Sequence, residues 1–103
     1  MNLVNFARNH KKGESTFVEN AAAVEAMIGY LKKDVLRNSR IDIELDTPLV
    51  SSGMIDSFTL VEVLLELEKI TGRRIPAGRV SPPDMDTVRK MFEVAERVGT
   101  VRS

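Results

Sequence analysis

The sequence predicts an all-α fold: a small helical bundle of three main helices plus one short helix, with a long loop between the first and second helices. Two observations carry that prediction. Apolar residues recur at spacings of three and four in separate stretches, which is the period of one helix face. Only one short run, Ile41 to Asp46, alternates apolar with acidic residues. It has no second alternating run to pair with, and a lone strand would leave its backbone groups unbonded. Strands are therefore not expected.

The chain has 103 residues, which is one domain at the small end of what buries a self-sufficient core. Residues 1–15 carry Asn, Lys, Gly and Ser without sustained periodicity and read as a flexible N-terminal tail. The domain then covers 16–98, and 99–103 forms a C-terminal tail. His10, the sole histidine, lies in the basic leading tail and reads as solvated.

The first helix has two candidate starts. Thr16-Phe17-Val18-Glu19 has the form of a capping box, and Asn20 is a rival cap one turn later. Phe17, Ala21, Val24, Ile28, Leu31 and Val35 then share a face, with Met27 beside them. Ala21-Ala22-Ala23 raises helix propensity. Lys32, Lys33 and Arg37 suit the negative end of the helix dipole, so the end is expected near Asn38.

From Ser39 to Asp56 the chain should be an extended loop. Ile41, Ile43 and Leu45 plug the core from it, Pro48 forbids continuous helix, and Gly53 allows a tight turn. The second helix is expected over 57–71, with Gly72 as its stop. Leu60, Val63, Leu64, Leu67 and Ile70 form its core face. Phe58, Val61 and Leu65 form a second stripe, bordered by Glu62, Glu66 and Glu68. That stripe is either a second buried side or an exposed apolar strip rimmed with acid, which would be a docking surface.

After Gly72 the chain leaves in extended form through Arg73-Arg74-Ile75-Pro76. Pro82-Pro83 limits Ala77 to Asp84 to one or two helical turns. Asp86-Thr87 caps the last helix, whose core residues are Val88, Met91, Phe92, Ala95 and Val98.

Net charge is zero, yet every charged residue from Ile41 to Glu68 is acidic: Asp42, Glu44, Asp46, Asp56, Glu62, Glu66 and Glu68. A partner docking there should present Lys and Arg. No apolar run is long enough to span a bilayer, and the N-terminus has no signal-like core, so a cytoplasmic monomer is expected. Aromatics are scarce and Trp is absent, which argues against a base-stacking surface. The best-formed helix is acidic, which argues against DNA. Without Cys and with one His there is no clustered metal-ligand set. No phosphate-binding glycine loop is present. Ser57 has no neighbouring base to make it a nucleophile. The chain is expected to be acted upon and not to be an enzyme.

Leu49-x-x-x-Gly53-x-x-Asp56-Ser57-Phe58, an apolar-acidic helix, Ile75-Pro76, and then Asp86-Thr87-Val88 follow in order. This pattern, over about residues 24–98, resembles the acyl and peptidyl carrier protein family. The resemblance implies a helical carrier domain whose Ser57 is modified with 4′-phosphopantetheine from coenzyme A, with Asp56 before it. The modified chain would be a phosphoprotein that holds acyl or aminoacyl groups as thioesters. Implied partners are a phosphopantetheinyl transferase, an acyl- or aminoacyl-loading ligase, and a downstream synthase or transferase. Phe58, Val61, Glu62 and Leu65 are the expected partner contacts.

Phe58 stands where the family usually has Leu. The neutral charge and the long leading tail also depart from the strongly acidic carriers of fatty-acid synthesis. Both departures point to a dedicated carrier for a polyketide, a nonribosomal peptide, a modified lipid or a single aminoacyl group. Two other classes are kept beside this one: an unmodified helical adaptor that only binds partner proteins, and a small hydrolase using Ser57. Asp-Ser at a helix start is also ordinary capping chemistry.

Overall fold

A computed structural model of the chain describes residues 20–101. The expected capping box at Thr16–Glu19, together with Phe17 and His10, lies outside the described residues. Among the described residues the fold is mainly helical. Helix α1 spans Ala21–Tyr30, α2 spans Thr59–Thr71 and α3 spans Val88–Val98. Each helix packs against the other two.

Asn20 caps α1, its side-chain oxygen accepting from the Ala23 amide at 3.2 Å. This satisfies one of the amides that a helix start leaves without a partner. The α-helix does not continue regularly to Asn38, as the spacing predicts. After Tyr30 it widens into a π turn over Leu31–Val35, in which the Leu36 amide donates to the Leu31 carbonyl at 2.8 Å. The Asn38 amide reaches the Lys32 carbonyl at 2.8 Å, and Arg37 takes a left-handed φ of 53°. Val24, Met27 and Leu31 are buried, while Ile28 and Val35 are half-buried against the same core.

The connection from α1 to α2 contains no regular strand. Ile43 is buried, and Ile41 and Leu45 are half-buried, so the alternating run does plug the core. Leu49 and Ile55 are fully or nearly fully buried from the same connection. On α2, Leu60, Val63, Leu64 and Leu67 are buried and Ile70 is half-buried. Gly72 ends the helix at φ 69°, a left-handed conformation that only glycine adopts without strain.

Beyond Gly72 the expectation of no strands fails. Arg73–Arg74 (β1) pairs antiparallel with Thr100–Val101 (β2), Arg73 opposite Val101 and Arg74 opposite Thr100. Two-residue strands are too short to show alternation, so periodicity cannot reveal them. Residues 100 and 101, expected in a tail, therefore belong to the fold. The single short helix expected before α3 is replaced by two 3₁₀ turns, Ala77–Arg79 and Pro82–Met85. Helix α3 is capped by Thr87, whose hydroxyl accepts from the Lys90 amide at 3.0 Å. Its predicted apolar face, Val88, Met91, Phe92, Ala95 and Val98, is buried, and so is Val94.

Candidate functional site

The loop before α2 is a closed circuit. The Ile55 amide donates to the Leu49 carbonyl at 2.9 Å, and the Gly53 amide donates to Val50 at 3.0 Å. Gly53 sits at φ 85°, where a side chain would be strained. The Ser52 hydroxyl donates to the Pro48 carbonyl at 2.7 Å. Leu49 and Ile55, the two ends of the circuit, insert into the core.

The circuit delivers Asp56, Ser57 and Phe58 to the surface. All three are exposed. The Asp56 carboxylate accepts from the Thr59 amide at 2.8 Å, three residues ahead. That is the spacing of an N-cap, and regular helix begins only at Thr59. Ser57 thus sits on the capping turn, ahead of the regular helix that was expected to start with it. The Thr59 amide, with the Thr59 side chain and the Phe58 amide adding to it, holds the Asp56 carboxyl below its ordinary range. Asp56 stays ionised at neutral pH beside the serine. The dipole and open amides at this end of α2 favour an anion.

The question left by the second stripe of α2 is answered by exposure. Phe58 is 89 % exposed, Val61 60 % and Leu65 55 %. The stripe is an open apolar strip and not a second buried side. Its acidic rim is narrower than the sequence implies. Glu62 is exposed on it, but Glu66 lies 3.9 Å from Lys69, and Glu68 turns away to accept the Ile75 amide at 2.6 Å. Asp46 likewise pairs with Arg89, through bonds of 2.8 and 3.1 Å. Tyr30 of α1 faces the same acids. Its hydroxyl is pushed above its usual range, chiefly by burial and then by Glu62 and Glu66.

An open cleft of about 150 Å³ begins at Ser57. Leu60, Val61 and Leu64 of α2 form one wall, and Ala77, Val80, Pro82 and Met85 of the 3₁₀ segment form the other. Ser57 and Ser81 supply the hydroxyls of a lining that is otherwise mostly carbon. The cleft can therefore receive a small apolar group.

Two residues do more than their sequence positions suggest. Spacing puts Glu68 on the rim of the docking stripe, yet it secures the helix exit. Position makes Asp86 part of the α3 cap, yet Thr87 alone caps that helix. The Asp86 Oδ1 accepts the amides of Leu49, Val50 and Ser51 at 3.2, 2.8 and 2.8 Å, and its Oδ2 accepts the Ser51 hydroxyl at 2.9 Å. The available signal was redundancy: an Asp directly ahead of a competent Thr cap is free to bond elsewhere. The Ser51 amide foremost, helped by the Ser51 hydroxyl and the Val50 and Leu49 amides, holds the Asp86 carboxyl below its ordinary range.

Among the described residues no group of His, Cys, Asp and Glu side chains could hold a metal ion. No helix among them is long and apolar enough to cross a membrane. Comparison with protein-family models, with curated proteins and with solved structures finds no match to this chain.

Proposed function

We propose that the protein is a carrier that is modified with 4′-phosphopantetheine on Ser57 and presents bound acyl or aminoacyl groups to partner enzymes. The observation that carries this reading is the setting of Ser57. Its side chain is exposed on a capped turn, between an anchored loop and an open apolar strip, with a cleft starting beside it.

In the modification, the Ser57 hydroxyl oxygen attacks the pantetheine-side phosphorus of coenzyme A. A serine–phosphorus bond forms, the pyrophosphate bond breaks, and adenosine 3′,5′-bisphosphate leaves. The transferase supplies the base that takes the hydroxyl proton. The resulting phosphodiester fits this position because its charge meets the positive end of α2. When bound, the group supplies a terminal thiol that holds cargo as a thioester. With no cysteine in the chain, that thiol has no competitor.

Phe58, Val61 and Leu65 give partners an apolar contact, and Asp56 and Glu62 give them charge. A transferase, a loading ligase and a downstream synthase or transferase would use the same face in turn. The zero net charge supports service in a specialised pathway.

The test is intact-mass measurement after incubation with coenzyme A and a phosphopantetheinyl transferase. One phosphopantetheinyl increment is expected for the wild type and none for Ser57→Ala. No increment in the wild type, or an equal one in the variant, overturns the proposal. The open strip also fits an adaptor that stays unmodified. A protein that takes no increment but binds a partner through Phe58 and Leu65 would favour that second reading.

A further inference from the structure

We propose that Asp86 is a positioning residue for modification at Ser57, its carboxylate fixing the loop that presents the serine. The inference rests on the carrier reading above. It starts from where the loop's bonds go. Among the described residues, every hydrogen bond that ties residues 49–55 to another element ends on Asp86. Four are accepted by its side chain, and a further one runs from the Leu49 amide to the Asp86 carbonyl at 2.7 Å. The remaining bonds of the loop are internal and close the circuit without orienting it.

Asp86 is not needed where the sequence seems to use it. Thr87 already caps α3 through the Lys90 amide, so the carboxylate is left to the loop. Its partners are consecutive amides some 35 to 37 positions away in the chain. A carboxylate suits that task because it accepts several donors at once and strengthens each bond with its charge. Without it, the Val50 and Ser51 amides and the Ser51 hydroxyl lose their protein acceptor, only the bond from the Leu49 amide to the Asp86 carbonyl remains, and the loop can pivot about its buried ends, Leu49 and Ile55. Ser57 follows Ile55 by two positions, so a pivot there moves the hydroxyl directly. Met85, next to Asp86, lines the cleft that begins at Ser57. The same contact therefore holds the serine in register with that wall.

The experiment compares wild type with Asp86→Ala, Asp86→Asn and Asp86→Glu, using coenzyme A and a phosphopantetheinyl transferase. Far-UV circular dichroism and amide hydrogen exchange are measured alongside. Asp86→Ala should keep the helical spectrum, lose protection at Val50 and Ser51, and lower kcat at saturating carrier by about tenfold. A smaller folded population alone would raise the apparent KM and leave kcat unchanged. Asp86→Asn should recover most of the loss, because its Oδ1 can still accept the amides while the Ser51 hydroxyl turns to accept from Nδ2. Asp86→Glu keeps the charge but displaces the carboxylate, and it should remain impaired.

Should the Ala variant not fold, the Asn and Glu variants decide. Asn near wild type with Glu impaired supports the role, and equal or reversed rates overturn it. If wild type and all variants are modified alike, this inference fails and the carrier function stands. If wild type takes no group at all, both fail.

Discussion

The Ile75 amide donates to the Glu68 carboxylate at 2.6 Å, joining the last turn of α2 to the first buried residue beyond it. Between them the chain reverses at Gly72. The bond fixes the angle at which the chain leaves the helix, and so sets where Ile75 enters the core. Replacing Glu68 by Ala leaves a half-buried amide unsatisfied and should cost about 1–3 kcal/mol in urea unfolding. Glu68→Gln, which retains an acceptor, should cost less.

Phe92 and Leu49 are both completely buried, one on α3 and one in the loop before α2. Phe92→Ala should cost about 3–5 kcal/mol, and Leu49→Ala about 2–5 kcal/mol. For so small a domain either loss is a large share of total stability. The two should differ in function as well. A Leu49→Ala protein that remains folded should show faster hydrogen exchange across the loop, and should accept the modification more slowly than an equally destabilised Phe92 variant such as Phe92→Leu at higher urea.

Four aspartates sit below their ordinary value of 3.8. For Asp46 the main cause is the Arg89 side chain, for Asp56 the Thr59 amide, for Asp84 the Ser81 amide, and for Asp86 the Ser51 amide. A depressed folded-state value means that the unfolded chain binds protons first as pH falls. The stabilisation is thus complete above about pH 4 and is lost as pH drops through the folded values. Thermal unfolding followed from pH 6 to pH 2 should show a flat upper region and a steep fall below pH 4. Asp86→Asn should start lower at neutral pH and fall less steeply.

Phe58 and Leu65 have almost no role in the core. Replacing either with Ser should change stability by less than about 0.5 kcal/mol, while weakening binding to the transferase measured by calorimetry or surface resonance. Glu62→Lys should also weaken binding, and should flatten its dependence on salt, because the steering charge is reversed. Unchanged binding in all three variants would remove this face of α2 as the docking site.

Much of this architecture could be read from residue spacing, because burying one face of a helix demands it. Val88, Met91, Phe92, Ala95 and Val98 lie where the period of three and four puts them, and Gly72 stops α2 as its conformational freedom requires. Ser57 could be placed at the surface for the same reason, since it falls off the buried face, whereas the stripe of Phe58, Val61 and Leu65 fits a buried or an open side equally well by spacing alone. What escaped was set by contacts between distant segments. Asp86 reads as a cap because capping is local, whereas its loop partners are brought near only by the fold. Glu68 reads as a rim acid because its helical angle says nothing about where Ile75 returns. The pairing of Arg73 with Val101 is invisible for want of length. The π turn after Tyr30 is a small change in pitch that the apolar pattern tolerates.

The ribbon of Arg73–Arg74 and Thr100–Val101 marks one pole of the described fold. It lies past the far end of α2, whose 13 residues put about 20 Å between that end and the Ser57 turn. A fluorophore or affinity handle placed on Val101, which is 76 % exposed, would sit at the pole opposite the serine. A protein immobilised through that residue should keep Ser57 turned toward whatever arrives from solution.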